Sequence, residues 1–141
     1  VAVAGTVDNV VPAEARVKVD VRVEQPGEKE RLEGLFASLV TSVPGATIEV
    51  LGGINRPPMP ATASATLFPV AVAAAAAAGL GEVRGVGVGG GSDGNFTAAR
   101  GVPTLDGLGA VGGGAHADHE FVLVDTMVAR AQLLAALIDR L

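Results

Sequence analysis

The segment at residues 16–24 constrains the fold most strongly, because it reads RVKVDVRVE and places a valine at every second position. A period of two puts the four valines on one face of a β-strand and the charged side chains on the other. A weaker valine alternation over residues 1–7 precedes it, and Asn9 and Pro12 lie between the two segments. The pattern predicts two antiparallel strands joined by a loop, with the register set by the valine face.

A helix and a third strand are predicted to follow. Pro26 occupies a position that the first turn of a helix accepts. The apolar residues at helical spacing are Leu32, Leu35, Phe36, Leu39 and Val40. Pro44 and Gly45 end the helix, and residues 47–51 read TIEVL, a short strand. Residues 1–53 are therefore predicted to be a partial β-β-α-β domain with an antiparallel sheet.

The chain changes character at GGINRPPMP, residues 52–60, where three prolines stiffen it as in a crossing between domains. We place a boundary there and predict a second domain over residues 54–141. Its predicted elements, by residue number, are helix 65–79, strand 82–88, helix 95–100, strand 103–106, strand 120–124 and helix 126–141. Such alternation indicates parallel βα units. The predicted fold class is α/β, with an α+β first domain.

The last helix is predicted to cover one side of this sheet. Its apolar face consists of Met127, Val128, Ala131, Leu134, Leu137, Ile138 and Leu141. Arg130, Gln132, Asp139 and Arg140 lie largely elsewhere on the helix.

Composition argues against several classes of function. The net charge is −5 and no run of Lys or Arg occurs, so the basic surface that nucleic acid requires is missing. The absence of cysteine excludes disulfides and thiolate zinc clusters, and it fits a cytoplasmic protein. The longest apolar stretch, residues 67–80, is shorter than the roughly 20 residues of a membrane span, so no membrane partner is expected. The start at Val1 inside an alternating segment predicts a fragment or a processed chain.

Two glycine-rich segments carry the polar side chains that could form a site. GGGSDGN covers residues 89–95, TLDGLGAVGGGAHADHE covers residues 104–120, and each follows a predicted strand. Open sheets bind ligands at such strand ends, and glycines let backbones approach closely. The candidate side chains are Asp93, Asp106, His116, Asp118, His119 and Glu120.

Nucleotide binding is an alternative, because GVGVGG at residues 85–90 satisfies G-x-G-x-x-G between a predicted strand and a predicted helix. The pattern arises easily in a chain with 20 glycines. Asp93 at the helix start would repel a pyrophosphate, and Asp106 comes too early for the acid that binds the ribose.

The order GGGSDGN, then GVPTLDGLGAVGGGAHADHEFV, then a helix with RAQLL resembles the C-terminal end of the zinc peptidases that include glutamate carboxypeptidase, acetylornithine deacetylase and aminoacylase. NVVPAEARVKVDVR resembles the lid of that family, and GGINRPPM resembles the arginine-proline segment of its carboxypeptidase G-like branch. The resemblance implies a two-zinc catalytic domain interrupted by a β-α-β-β-α-β lid that also forms the dimer interface. Residues 1–53 would be part of that lid/dimerisation domain, and residues 54–141 the C-terminal part of the catalytic domain.

The resemblance assigns roles to three residues. His116 matches the final histidine ligand of the metal site, and Arg56 matches the arginine that clamps the terminal carboxylate of the substrate. Asn9 lies at the N-x-x-P turn whose asparagine contacts the substrate. Asp93 is a candidate from its place in the glycine-rich segment alone, where it could bind substrate or shape the loop. The structural alternatives are an interdomain salt bridge for Arg56, an Asx-turn for Asn9 and an N-cap for Asp93.

Three further polar residues are expected at the surface. His119 lies three residues after His116 in a segment that leads into a strand, so it is expected to face solvent. Asp20 and Arg22 lie opposite the valines, where they are expected to form surface or dimer contacts.

By the same resemblance, the remaining zinc ligands and the general base lie in an N-terminal half that this chain lacks. We therefore expect no catalytic residue in this chain and no tight zinc binding by it alone. The parent enzyme is expected to hydrolyse an amide bond next to a free carboxylate in an acyl-amino acid or peptide. Exposed strand edges predict a homo-oligomer or a complementary N-terminal part as partner. The alternative from another class is a non-catalytic lid and dimerisation module.

Overall fold

The computed structural model describes residues 2–5, 7 and 9–141. Its elements are β1 (Ala2–Ala4), β2 (Ala15–Val17), α1 (Glu28–Ala37), α2 (Phe68–Ala77), α3 (Gly94–Ala99), β3 (Gly112–Gly113), β4 (Phe121–Val122) and α4 (Val124–Ile138), with a 3₁₀ turn at Ala61–Ser64 before α2. Val1, Thr6 and Asp8, from the predicted first strand and its loop, lie outside the described residues. The mixture of helices and short antiparallel strands agrees with an α/β fold class.

The pairing of β1 with β2 confirms the predicted antiparallel start of the chain. Ala2 pairs with Val17 and Ala4 pairs with Ala15. The long strand predicted over residues 16–24 is wrong, however, because β2 ends at Val17. A strand persists only where a neighbour supplies hydrogen bonds, and β1 is only three residues long. Val17 and Val19 are 68% and 57% exposed, whereas Val21 and Val23 are half-buried, so the predicted valine face is only partly covered in the described part of the chain.

Helix α1 follows Pro26 as predicted, but it ends at Ala37, before Leu39 and Val40. Gly27 has a left-handed φ of 92° at the start of the helix, a conformation that glycine adopts without a steric penalty. In the first turn, Nη2 of Arg31 lies 2.7 Å from Oε2 of Glu28. The hydrogen bond from Arg31 holds the pKa of the Glu28 carboxyl below its ordinary value and raises the pKa of Arg31. Because both groups are well exposed, the ion pair adds little to stability.

The buried core lies between α2 and α4. Its members are Ala71, Ala74, Ala75, Leu133 and Leu137, none more than 3% exposed. The alanines carry only a methyl group, so the two leucines of α4 reach close to the backbone of α2. Helix α2 has a proline in its first turn, where the missing N–H costs nothing, and Gly79 follows its end with a φ of 66°.

Helix α4 buries a different face from the predicted one. Leu137 is buried as expected, and so is Leu133, which the predicted face omits. Met127, Val128 and Ile138 are 50%, 67% and 61% exposed. The helix is apolar on more than one side, so its neighbour α2 decides which side is buried. The expectation that α4 covers a sheet is therefore wrong for the part of the chain that the structure describes.

Three predicted strands, at residues 47–51, 82–88 and 103–106, form no ladder. The two ladders in the described ranges, β1–β2 and β3–β4, are both antiparallel. A parallel strand needs a neighbour reached by a crossover connection, and no described segment lies beside these three in that way. The parallel sheet and the complete lid arrangement are thus not formed within the described residues, whereas α3, β4 and α4 lie close to their predicted positions. No helix among the described residues is both long and apolar enough to cross a membrane.

The packing between α2 and α4 leads to a first prediction. We expect Leu137→Ala to lower the free energy of unfolding by about 2–3 kcal/mol, because the lost side chain leaves a cavity against the α2 alanines. Urea denaturation of the chain measures this loss. Leu134→Ala is the matched control on the same helix, since Leu134 is 43% exposed and its loss should cost less than about 1 kcal/mol. Equal losses from the two variants would contradict the α2–α4 core.

Candidate functional site

Arg56 and Asp93, two of the residues singled out in the sequence, lie together. Nη2 of Arg56 is 3.9 Å from Oδ1 of Asp93, and the Arg56 guanidinium carbon lies 4.8 Å from the centre of the Phe96 ring. The Arg56 side chain is 36% exposed and the Asp93 side chain is fully exposed. An ion pair this long and wet is weak, so Asp93 orients Arg56 only loosely. Within the described residues, no hydrogen-bond acceptor occupies the guanidinium of Arg56.

Gly91 also lies against the side chain of Arg56. A Cβ atom added to Gly91 would lie 2.6 Å from Cδ of Arg56, closer than side chains approach each other. The glycine therefore allows the arginine stem to lie against the backbone of the loop at residues 89–95, which we call the glycine loop. Phe96 at the guanidinium end and Gly91 along the stem together confine the side chain of Arg56.

The glycine loop is shaped by its own polar side chains. The backbone N–H of Ser92 donates to Oδ1 of Asn95 at 2.8 Å, and Oγ of Ser92 accepts from the N–H of Gly94 at 3.0 Å. Asp93 stands at the start of α3, yet its side chain makes no capping hydrogen bond. Asp93 thus occupies the N-cap position without capping the helix through its side chain, whose observed contact is the ion pair with Arg56.

The first predicted domain also reaches the glycine loop. Nη1 of Arg22 donates to the carbonyl oxygen of Gly89 at 3.1 Å, and Nη2 of Arg22 lies 3.3 Å from Asp20. Both side chains are largely exposed, which confirms the expected surface position of Asp20 and Arg22. The sequence pattern did not predict the contact with Gly89, because a single arginine on a wet strand face carries no signal of its target.

Thr104 anchors the segment that leads away from the glycine loop. It is the buried polar residue of the described chain, with 9% of its surface exposed. Its N–H donates to Ala63 at 2.9 Å, its carbonyl accepts from Oγ of Ser64 at 2.9 Å, and its hydroxyl lies 2.9 Å from that of Thr97. The segment predicted as strand 103–106 is therefore held by the 3₁₀ turn and α3 instead of by a sheet.

His116 lies in the loop of a β-hairpin. Gly112 pairs with Val122 and Gly113 with Phe121, so residues 114–120 connect two antiparallel strands. His116 is exposed and has a φ of 68°, the left-handed region that is costly for a residue with a Cβ. Its backbone N–H lies 3.4 Å from Oε2 of Glu120. His119 is also exposed, as expected, and its ring lies against Gly114.

Helix α4 holds the segment that precedes the hairpin. Nε of Arg130 donates to the carbonyl oxygen of Gly109 at 2.8 Å, and Nη2 donates to that of Gly107 at 2.5 Å. The N–H of Leu123 donates to Val111 at 2.8 Å, which continues the hairpin toward α4. Arg130 thus connects the main helix of the core to the loop that carries His116.

The described residues do not form a complete metal site. Among them, no group of three or more His, Cys, Asp or Glu side chains is arranged to hold an ion. His116 is exposed and can offer one imidazole nitrogen, which fits one position of a metal shell but not a whole shell. No hydrogen bond or ion pair in the described ranges joins the His116 hairpin to Arg56. Asn9 is exposed in the connection between β1 and β2.

The glycine pattern at residues 85–90 lacks the context that nucleotide binding requires. No described strand precedes it, and α3, the next helix, begins only at Gly94 and has six residues. A Cβ atom on Gly85 would lie 3.6 Å from the Phe68 ring, so this glycine packs against an aromatic side chain. The expected βαβ unit is therefore not formed in this part of the chain.

A comparison with protein families identifies the chain. The family model described as peptidase family M20/M25/M40 matches residues 4–140. The chain belongs to this family. The match includes β2 and the connection that precedes it, Arg56 with the glycine loop, and the His116 hairpin, so every candidate residue discussed above lies within it. No curated protein and no solved structure gives a significant match.

Membership of the M20/M25/M40 family establishes the general chemistry. Its members are peptidases, that is, hydrolases, and M20 peptidases are typically metal-dependent. Ser92, Phe96 and Thr104 are site-building residues that the sequence analysis missed. Phe96 offered a usable signal, since it is one of four phenylalanines and follows the glycine loop directly. Ser92 and Thr104 carry no such signal, because hydroxyl residues are ordinary in loops and strands.

Proposed function

We propose that this chain is part of a zinc-dependent hydrolase that cleaves an amide bond next to a free carboxylate, as a carboxypeptidase or an N-acyl-amino-acid deacylase does, with glutamate-type substrates as candidates. The observation that carries the proposal is the environment of Arg56, namely its contacts and its exposure. Its guanidinium is confined by Phe96 and Gly91, is partly exposed, and has only a weak ion pair to Asp93. A planar guanidinium with free donors binds a carboxylate through two parallel hydrogen bonds.

In this proposal the described residues bind and orient the substrate. Arg56 holds the carboxylate end, Asp93 shapes the site beside the guanidinium, and Asn9 contacts the substrate from the lid. The chemistry that two bound zinc ions supply is a water of lowered pKa and a polarised carbonyl. His116 contributes one ligand, and the other ligands and the general base are proposed to come from an N-terminal part outside this sequence.

The exposed apolar surface of α4 supports a covering partner. Val124, Met127, Val128 and Ile138 are each at least half exposed and follow helical spacing on one side of the helix. Exposure of such an apolar stripe to water is unfavourable, and its burial against another surface would stabilise the protein. The proposed partner is the complementary N-terminal part of the catalytic domain, or a second copy of the chain in a homo-oligomer. We further propose a division at residues 53–54 and a cytoplasmic location.

A comparison of the isolated chain with the full-length protein separates this proposal from the alternative, a non-catalytic lid and dimerisation module. The 141-residue chain alone is expected to bind zinc weakly and to show no amidase activity, whereas the full-length enzyme is expected to bind zinc stoichiometrically and to hydrolyse acyl-amino acids. Metal analysis and an amidase assay on both preparations measure this. Inactivity of the full-length protein toward every acyl-amino acid and peptide tested would favour the module. Tight zinc binding by the isolated chain would contradict the proposed division of ligands.

The carboxylate role of Arg56 has its own test. In the full-length enzyme, we expect Arg56→Ala to raise KM by about 30-fold to 100-fold with a smaller change in kcat, because a charge-assisted bidentate contact is lost. Steady-state kinetics on an acyl-amino acid measure the change. A substrate whose carboxylate is converted to an amide is the control and should show no difference between the two enzymes. Arg100→Ala is the control variant, and an unchanged KM for Arg56→Ala would remove the clamp.

A further inference from the structure

The Asn95 side chain makes a bridge that is not used by the proposed chemistry. Its Nδ2 donates to the carbonyl oxygen of Pro57 at 2.8 Å, and its Oδ1 accepts from the N–H of Ser92 at 2.8 Å. Both hydrogen bonds are partly buried. One amide group thus joins the glycine loop to a segment 38 positions earlier in the chain.

The two residues joined by this bridge are the immediate neighbours of Arg56 and of Phe96, whose ring confines Arg56. Pro57 directly follows Arg56, and Asn95 directly precedes Phe96, whose ring lies 4.8 Å from the guanidinium carbon. The proline ring restricts the backbone of the residue before it, so the main chain of Arg56 has little freedom. What stays adjustable is the distance between the Arg56 segment and the Phe96 ring, and the Asn95 bridge sets that distance.

We propose that Asn95 is a positioning residue that determines the orientation of the Arg56 guanidinium and thereby the affinity for substrates with a free carboxylate. The second half of this statement rests on the proposed function, whereas the first half concerns geometry alone. Asparagine suits the position because it offers a donor and an acceptor at once. An aspartate of the same shape can accept from Ser92 but cannot donate to Pro57, and its charge lies against a carbonyl oxygen.

Two readouts test the two halves separately. The first is the NMR shift of the Arg56 Nε proton, which the Phe96 ring current displaces as long as the stack is intact. The second is KM relative to kcat for an acyl-amino acid in the full-length enzyme. For Asn95→Asp we expect the ring-current displacement to fall by at least about half and KM to rise about tenfold while kcat stays within about twofold, as for a partly lost charged hydrogen bond.

The matched control is Asn55→Ala, which removes the same type of side chain from the exposed residue on the other side of Arg56. It should change neither readout. Phe96→Leu is the second variant: it removes the ring, keeps the Asn95 bridge and should give the same rise in KM. The amide signals of the α2–α4 core show that each variant is folded.

The outcomes are distinct. An unchanged Arg56 signal in folded Asn95→Asp overturns the positioning role, whatever the kinetics show. If the signal moves in Asn95→Asp but Arg56→Ala leaves KM unchanged, the geometric half stands and the carboxylate proposal fails. If the signal moves and KM stays constant although Arg56→Ala raises it, the link from orientation to affinity is overturned.

Discussion

A His116→Gly variant is expected to be more stable than the wild-type chain and, in the full-length enzyme, to lose at least about 100-fold of its metal-dependent activity. His116 has a φ of 68° in an exposed loop, so its side chain adds strain and little packing. Glycine adopts this conformation freely, and the left-handed region costs other residues about 1–2 kcal/mol. A strained residue retained at an exposed position is typical of a functional site.

Two measurements divide this prediction into a structural and a chemical part. Urea denaturation of the chain should show a gain of about 1 kcal/mol for His116→Gly. Metal analysis of the full-length variant should show less than the wild-type amount of zinc. His119→Ala is the control, because His119 is also exposed but has no left-handed φ, and it should retain zinc and activity. Full zinc content in His116→Gly would remove His116 from the proposed ligands, and lower stability would contradict the strain.

Gly112→Ala is expected to open the hairpin that carries His116. A Cβ atom on Gly112 would overlap the carbonyl oxygen of Phe121 on the facing strand, and both atoms belong to a paired backbone that has no freedom to move aside. We expect a loss of at least about 3 kcal/mol in the free energy of unfolding, or local opening of β3 from β4 if the rest of the chain stays folded. Hydrogen exchange at β3 and β4 together with urea denaturation measures both outcomes.

The control for this variant is Gly109→Ala, three residues earlier in the same segment. Gly109 has no atom within 4 Å of an added Cβ and no left-handed φ, so the chain should tolerate the change with a stability difference below about 0.5 kcal/mol. In the full-length enzyme, Gly112→Ala should also weaken zinc binding, because the hairpin loop no longer holds His116 in place. A Gly112→Ala chain as stable as Gly109→Ala would show that the hairpin is not formed as described.

Local patterns predicted the helices and two of the strand positions in this chain. The antiparallel start, the short helix after the glycine loop, the strand at Phe121 and the C-terminal helix all follow from periodicity and from glycine and proline positions. The solvent-facing position of His119 followed from its spacing relative to His116. The motifs around GGGSDGN and GGGAHAD also indicated the peptidase family, which the match over residues 4–140 supports. These features depend on neighbours within a few residues, which is the range over which sequence patterns carry information.

Which faces meet was decided only by the tertiary structure. Helix α4 is apolar on several sides, and contact with α2 selected Leu133 and Leu137 for the core while Met127 and Val128 stayed exposed. The segment with Thr104 has a strand pattern, but hydrogen bonds to Ala63 and Ser64 hold it without a ladder. Strand pairing and helix burial depend on partners far away in the chain, so periodicity predicts an apolar face without naming what covers it.

The same division applies to the candidate site. Arg56 and His116 became candidates because the motifs around them resemble those of the peptidase family, and Asp93 because it lies in the glycine loop; their roles stay predictions. The stack of Arg56 on Phe96, the close approach to Gly91 and the left-handed φ of His116 came only from the tertiary structure. The sequence determined which groups are present, and packing between distant segments decided their orientation, since orientation is set by contacts that no local pattern encodes.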